Sequence, residues 1–197
     1  MKLGCVVMAA GNSLRFGADK LDREFDGKSV FRRALEALPA KSFEEVVVVT
    51  RSSLFSESIK GFNFTEVRNL HPEQGVSLTI RLGLSRLLGC DGVLFLVCDQ
   101  PLLRRETVED LAALWLKEPG KIAALGHHGK RGNPCLFPAR FFPELLALQG
   151  DRGGSAVIRR HEEDLVLLNT DPWELMDIDT PQALEVLRTL KGPASCK

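Results

Sequence analysis

The sequence lacks a net charge. Lys plus Arg and Asp plus Glu each number 26 in the 197 residues, so the formal net charge at pH 7 is zero. Such a molecule has no overall field to attract nucleic acid or an anionic membrane. Nor are aromatic residues interleaved with basic ones, as a nucleic-acid surface would require. We therefore expect neither nucleic acid nor a membrane as a partner, and any site for an anion must be local.

Long apolar runs and closely paired cysteines are also missing. The apolar stretch near the start, from Leu3 to Met8, is too short for the core of a signal peptide or for a membrane span. None of the five cysteines forms a C-x-x-C pair, and most lie in apolar segments, as reduced and buried thiols do. These features favour a cytoplasmic location.

What is present has the composition and pattern of one globular domain. The chain is 44% hydrophobic and 26% charged, with no low-complexity tract. Short β-branched runs alternate with segments of helical periodicity, as consecutive βα units do. We predict an α/β fold with a doubly wound, mostly parallel sheet and helices on both faces, in a single domain over residues 1–191, followed by a flexible tail over 192–197. The predicted strands are 3–8, 46–50, 64–67, 93–98, 122–125 and 165–168, the predicted helices are 29–38, 77–88, 106–116, 141–148, 156–160 and one that begins at Pro181, and residues 127–133 are a predicted turn.

A loop rich in small and basic residues follows the first predicted strand, from Ala9 to Lys20. Gly11 and Gly17 allow backbone N–H groups to turn toward an anion, while Arg15 and Lys20 supply positive charge. Open α/β sheets bind ligands at the carboxyl ends of their strands, where this loop lies. The spacing fits neither G-x-x-x-x-G-K-[ST] nor G-x-G-x-x-G. The loop predicts a polyphosphate site, with an ordinary glycine turn carrying two exposed cations as the alternative.

Carboxylates lie where a metal ion could join this loop. Asp99 ends the most apolar strand, within Cys98-Asp99-Gln100-Pro101, and Asp177 and Asp179 stand two apart before the last helix. Mg²⁺ typically takes one or two protein carboxylates and completes its shell with water and substrate phosphates. We predict Asp99 and Asp179 as Mg²⁺ ligands, with Asp177 as the alternative to Asp179. Each could instead support a turn or the start of a helix.

The order G-x-S-x-R-x-G-x-x-K after a strand and two alanines resembles the signature of the nucleotidyltransferases of the molybdenum cofactor. It is most similar to the molybdenum cofactor cytidylyltransferases, MobA-like NTP transferases with the Rossmann-like nucleotide-diphospho-sugar transferase fold. The resemblance implies that the loop wraps a triphosphate and that Arg15, Lys20 and Asp99 are catalytic. The implied nucleotide-binding residues are Ala9, Ala10, Gly11, Asn12, Ser13, Arg15, Lys20, Asn69, Gly75 and Ser77. Guanylyl-transferring relatives carry Ala-Gly-Gly in place of Ala9-Ala10-Gly11, so the resemblance favours CTP over GTP.

Two further segments resemble those that the family uses around its pterin substrate, namely Arg131-Gly132-Asn133-Pro134 and Gly150-Asp151-Arg152-Gly153-Gly154. Both also fit ordinary turns. The implied substrate-binding residues are Arg131, Gly132, Asn133 and Asp151. Gly154 and Ser155 stand where the family usually has Ala-Arg, so an expected cation for the substrate is missing there.

The resemblance implies a Mg²⁺-dependent cytidylyltransferase. The terminal phosphate of molybdopterin would attack the α-phosphorus of CTP, pyrophosphate would leave, and a molybdenum hydroxylase would receive the product. The alternatives are GTP as donor, a sugar or alcohol phosphate as acceptor, or a non-catalytic carrier or insertion chaperone for the cofactor. A dinucleotide-dependent oxidoreductase is disfavoured by the glycine spacing. His127 and His128, beside a glycine turn with no third ligand at metal spacing, are interpreted as loop histidines and not as a zinc site.

Overall fold

Seven strands form one sheet in a computed structural model of the chain, which describes residues 1–11, 20–52 and 59–189. In chain order the strands are β1 (Leu3–Ala9), β2 (Glu24–Phe25), β3 (Lys28–Ser29), β4 (Glu45–Thr50), β5 (Thr65–Arg68), β6 (Gly92–Val97), β7 (Ile122–His127), β8 (Lys130–Pro138) and β9 (Leu165–Asn169). The sheet order is β5-β4-β1-β6-β8-β7-β9, and β2 pairs with β3 in a separate hairpin. Only β8 is antiparallel to its neighbours in the sheet.

Helices cover both faces of this sheet. They are α1 (Val30–Ala37), α2 (Val76–Leu84), α3 (Arg105–Lys117), α4 (Phe142–Leu146), α5 (Gly154–Ile158) and α6 (Pro181–Thr189). Alternate residues of a strand face opposite sides, so Cys5 and Val7 of β1 lie in one core while Val6 lies in the other. Helices α1, α3 and α6 pack on the first core, and α2, α4 and α5 pack on the second. The doubly wound, mostly parallel α/β fold is therefore confirmed.

The sequence pattern failed at two places. The predicted turn over 127–133 is wrong, because the turn is limited to His128 and Gly129 and β8 begins directly afterwards. Gly, Asn and Pro within β8 disfavour a strand. These residues are tolerated because they lie at an irregularity of the ladder. Ala124 is opposite Cys135 and Gly126 is opposite Arg131, so the pairing of β7 with β8 shifts register where Gly132, Asn133 and Pro134 lie. The short hairpin β2–β3 was also missed, although its turn residues Asp26 and Gly27 form a typical hairpin dipeptide.

The topology brings the predicted site residues to one edge of the sheet. Strands β1, β4, β5, β6, β7 and β9 run parallel and end there. Gly11, Asn69 and Asp99 follow three of these strands, and Arg131 lies near the start of the antiparallel β8. None of the helices within the described ranges is long and apolar enough to cross a membrane. Residues 190–197, which include the predicted tail, lie outside the described part of the chain.

Candidate active site

An ion-pair cluster joins the end of the β1 loop to the two predicted metal motifs. Lys20 Nζ lies 2.7 Å from Asp99 Oδ2 and 3.2 Å from Asp179 Oδ1. The side chains of Lys20 and Asp99 are only 18% and 21% exposed, whereas that of Asp179 is 60% exposed. Burial by itself would lower the pKa of Lys20, but the carboxylates of Asp99 and Asp179 raise that pKa above its ordinary value. Lys20 is therefore a charged ammonium that bridges both predicted metal ligands.

Gln100 holds the third carboxylate beside this cluster. Its Nε2 donates to Asp177 Oδ1 at 2.9 Å, and the backbone N–H of Ile178 donates to the carbonyl of Asp99 at 2.9 Å. Although Asp177 as a residue is exposed, the protein around its carboxyl group displaces solvent, and the charge of Asp99 adds to this effect. Together they raise the pKa of Asp177 to about 6. The three carboxylates thus interact electrostatically at one place.

The oxygen that best fits a divalent cation is Asp99 Oδ1. It is buried and has no hydrogen-bond partner among the described residues. A buried carboxylate oxygen without a partner is costly unless another group compensates its charge. Asp177 and Asp179 add carboxylate oxygens of the kind that Mg²⁺ and Mn²⁺ prefer. The ligand atoms of the three carboxylates are not gathered to within 4.8 Å of one another; in the described part of the chain, the group that is so gathered is His161, Glu163 and Asp164. By the chemistry of their oxygen atoms, and not by a preformed cage, these residues fit a hard divalent cation.

Two buried alanines lie where β1 ends and the loop after it begins. Ala9 and Ala10 are 1% and 2% exposed, and their methyl groups lie in opposite cores. Only their backbone can therefore face a nucleotide. Gly11 is exposed, and a Cβ built on it would meet none of the described atoms within 4 Å. The remaining predicted loop residues, Asn12, Ser13, Arg15 and Gly17, lie outside the described residues.

The predicted nucleotide-binding residues Asn69 and Ser77 are both fully buried. Asn69 Nδ2 donates to Thr79 Oγ1 at 3.2 Å, and Asn69 Oδ1 accepts from the backbone N–H of His71 at 2.9 Å. Ser77 Oγ accepts a long hydrogen bond from Arg81 Nη1 at 3.5 Å. Both side chains therefore form internal hydrogen bonds that position α2 beside the end of β5. Their binding of a nucleotide stays a prediction.

Gly75 connects the predicted nucleotide side to the predicted acceptor side. It is the N-cap of α2, with φ 85° and ψ 179°, a backbone region that is essentially reserved for glycine. A Cβ at Gly75 would overlap the backbone of Gly150 and lie 2.6 Å from Asp151 Oδ1. The N–H of Ser77 donates to the carbonyl of Gly150 at 3.1 Å. Since the first amides of a helix have no partner within it, the loop at Gly150 caps α2.

The other predicted acceptor residues lie at the start of β8. Arg131, Gly132 and Asn133 are partly buried, whereas Asp151 is exposed. Arg131 Nη2 donates to Ser155 Oγ at 2.8 Å. Ser155 stands where the family usually has an arginine, so the positive charge of Arg131 lies beside the position of that missing cation.

A polar cavity at the same edge was missed by the sequence analysis. It has a volume of about 360 Å³ and lies between α3 and the carboxyl ends of β7 and β9. His127 and His128, which were interpreted as loop histidines, line it. Gln100 was missed as well. The position of Gln100 inside the predicted motif around Asp99 could have drawn attention to it. The cavity is built from segments that are separate in the chain, and the adjacent histidines are the one local feature that could have indicated it.

Residues 5–165 match a family model described as the MobA-like NTP transferase domain. The chain is 29% identical over 196 residues to the purine catabolism protein PucB of Bacillus subtilis (strain 168), covering 93% of this chain and 94% of that protein. It is 30% identical over 194 residues to a probable molybdenum cofactor guanylyltransferase of Nostoc sp. (strain PCC 7120), covering 94% and 90%. Among solved structures, Rv0371c of Mycobacterium tuberculosis H37Rv shares the fold with a TM-score of 0.81 at 20% identity, covering 96% and 98%. A structure of Rv0371c in complex with manganese has a TM-score of 0.75 at 19% identity, covering 96% and 99%.

Proposed function

Because this chain belongs to the family of MobA-like NTP transferases, we propose that it transfers CMP from CTP to the terminal phosphate of molybdopterin and releases pyrophosphate. The chain is a nucleotidyltransferase of the MobA-like type, and the choice of donor and acceptor is the proposal. The observation that carries it is the ion pairing of Lys20, at the end of the β1 loop, with Asp99 and Asp179. Nucleotidyl transfer depends on positioning and charge neutralisation, and this cluster supplies residues for both.

We further propose that Asp99 and Asp179 hold Mg²⁺, with Asp177 as the alternative second ligand. Asp99 Oδ1, which has no hydrogen-bond partner among the described residues, supports the first ligand, and the greater exposure of Asp179 supports the second. A bound divalent cation of this kind neutralises charge on phosphate oxygens and orients the triphosphate. The manganese complex of Rv0371c gives separate support for a divalent cation on this fold.

Lys20 has two tasks in the proposed reaction. Before a nucleotide binds, its ammonium neutralises the carboxylates of Asp99 and Asp179. Its flexible side chain then turns toward the phosphates of the bound nucleotide, where its charge stabilises the leaving pyrophosphate. Arg15 would add a second cation there, as the resemblance implies. The acceptor phosphate attacks the α-phosphorus in line, so no side chain has to form a covalent intermediate.

The preference for CTP rests on Ala10. The resemblance places glycine at this position in guanylyl-transferring enzymes, and the Nostoc relative is named a guanylyltransferase, so GTP is the alternative donor. Because the Ala10 methyl group is buried, we infer that it acts by restricting the backbone of the loop and not by touching the base.

A nucleotide panel tests donor and acceptor together. Pyrophosphate release is measured with molybdopterin and each of CTP, GTP, ATP and UTP. We expect kcat/KM for CTP to exceed that for GTP about tenfold or more, the range that one methyl group can supply. Ala10→Gly should narrow this ratio, whereas Ala9→Gly, which removes the neighbouring methyl group, should not. A wild type that prefers GTP would overturn the choice of CTP.

The acceptor is tested in the same assay. Turnover with a sugar phosphate or an alcohol phosphate, and none with molybdopterin, would reject the proposed acceptor. A carrier or chaperone would release no pyrophosphate with any pair. Calorimetry with CTP and Mg²⁺ then separates an inactive enzyme from a protein with no nucleotide site. We propose a molybdenum hydroxylase as the recipient of the product.

A further inference from the structure

We propose that the polar cavity between α3 and the ends of β7 and β9 binds the planar, nitrogen-rich ring of the acceptor. This inference rests on the proposed function and names the part of the site that selects the second substrate. The cavity volume of about 360 Å³ falls within the range of about 300–1,000 Å³ that is typical of small-molecule sites. A fused heterocycle is a ligand of suitable size.

Two of the residues that line the cavity are near the metal motifs in the chain. Arg104, in one wall, follows Asp99 after a short turn, and Asp171, in another wall, precedes Asp177 in the chain. Arg104 Nη2 donates to Asp171 at 3.0 Å. The buried carboxylate of Glu174 also accepts from the backbone N–H and from Nε of Arg104, each at 3.0 Å. The chain segments that follow Asp99 and precede Asp177 are thus joined in the wall of this cavity.

The walls of the cavity offer both donors and acceptors. In the described part of the chain, the side chains of Asp110 and Asn169 have no hydrogen-bond or ion-pair partner. His127 Nδ1 lies 2.9 Å from the carbonyl oxygen of Thr170. Because a carbonyl can only accept, this nitrogen carries the hydrogen, and Nε2 of the neutral ring is an acceptor. Such a set suits a ring with amino and N–H donors at one edge and a carbonyl at another.

His128 supplies a separate argument. It is the first residue of the two-residue turn between β7 and β8, with φ 47°, and Gly129 follows with φ 78°. Turns of this type favour Asn, Asp or Gly at the first position. The corresponding position of the β2–β3 turn follows this preference with Asp26 at φ 49°. At this position the His128 ring packs edge-on against the His127 ring, with the ring centroids 4.2 Å apart, and both rings line the cavity.

The test compares His128→Asn with the matched control Asp26→Asn. Each change places asparagine at the first position of a similar turn, but only the first alters the cavity. We expect His128→Asn to raise the acceptor KM about tenfold, the scale of one lost polar contact. Its KM for CTP should be unchanged or lower, and its urea midpoint should be unchanged or higher. The control variant should change none of these values. Asn169→Ala should reproduce the rise in acceptor KM. An acceptor KM within twofold of the wild type in both cavity variants would overturn the proposal.

A binding measurement separates this proposal from the proposed reaction. The full chain is titrated by calorimetry with 6-hydroxymethylpterin, which has the ring but no phosphate. Saturable binding that weakens about tenfold in His128→Asn supports the cavity, even where pyrophosphate release shows that the proposed reaction has failed. No saturable binding to the wild type, or equal binding by the variant, overturns the cavity assignment and leaves the nucleotide panel to judge the reaction.

Discussion

Gly75→Ala should destabilise the protein by much more than an ordinary change of glycine to alanine in a turn. At φ 85° and ψ 179°, a non-glycine residue costs about 1–3 kcal/mol. The new Cβ would also overlap the backbone of Gly150, which cannot rotate away as a flexible side chain can. Overpacking of this kind adds about 1–3 kcal/mol. The sum gives an expected loss of about 4 kcal/mol in the free energy of unfolding.

Gly61→Ala is the matched control. Gly61 also has a positive φ of 89°, but a Cβ built there meets none of the described atoms within 4 Å. Only the backbone cost applies, so we expect a loss of about 1–2 kcal/mol. Urea unfolding at one temperature measures both variants. Equal destabilisation of the two would show that the contact between Gly75 and Gly150 does not constrain the fold.

The same variant should weaken nucleotide binding. The N–H of Ser77 donates to the carbonyl of Gly150, and a shift of either segment breaks that hydrogen bond at the start of α2. Calorimetry with CTP, at a temperature where both variants are folded, should show lower affinity for Gly75→Ala and wild-type affinity for Gly61→Ala. Unchanged affinity in Gly75→Ala would separate α2 from the nucleotide site.

The other predictions concern three single residues. Asp99→Asn should lower kcat at least about 100-fold with an unchanged circular dichroism spectrum, and near-normal turnover with Mg²⁺ would refute its role as metal ligand. The folded state raises the pKa of Asp177 to about 6 from an ordinary value of 3.8, so its folded carboxyl group holds a proton more tightly than the unfolded one, and its contribution to stability falls as pH rises from about 4 to 6. We therefore compare the urea midpoints of Asp177→Asn and the wild type at about pH 4 and at about pH 7. The variant should be more stable relative to the wild type at about pH 7 than at about pH 4, and a difference between the two proteins that does not vary with pH would contradict this reasoning. Gly11→Ala should leave the urea midpoint unchanged, because a Cβ there meets none of the described atoms within 4 Å. The same change should weaken CTP binding if the phosphates lie against Gly11, and unaltered affinity would place them elsewhere.

The sequence was most informative where local pattern and final environment agree. Strands β1, β4 and β6 are apolar runs buried on both faces, and such runs indicate a parallel sheet without knowledge of their partners. Strand β8 could not be predicted in this way, since Gly132 and Pro134 match the composition of a turn. Its extended form depends on hydrogen bonds to β6 and β7, which are distant in the chain.

In the candidate active site, too, some features could be predicted from the sequence and others could not. The predicted metal motifs do meet, because Asp99 and Asp179 share Lys20. That Lys20 pairs with them could not be read from its place in a loop expected to hold phosphate. The burial of Asn69 and Ser77 could not be predicted either, because a polar side chain looks the same in sequence whether it binds a ligand or another group of the protein. The cavity at His127 depends on three segments that only the fold brings together.

The bridge formed by Lys20 has a thermodynamic consequence. Any divalent cation that binds Asp99 and Asp179 must compete with an ammonium that already neutralises part of their charge through Asp99 Oδ2 and Asp179 Oδ1. A triphosphate offers that ammonium new partners, so it removes the competitor at the moment when it supplies further oxygen ligands. Cation and nucleotide should therefore bind cooperatively, each raising the affinity of the other by the same factor. Either alone should bind weakly, and the site is assembled only when both arrive.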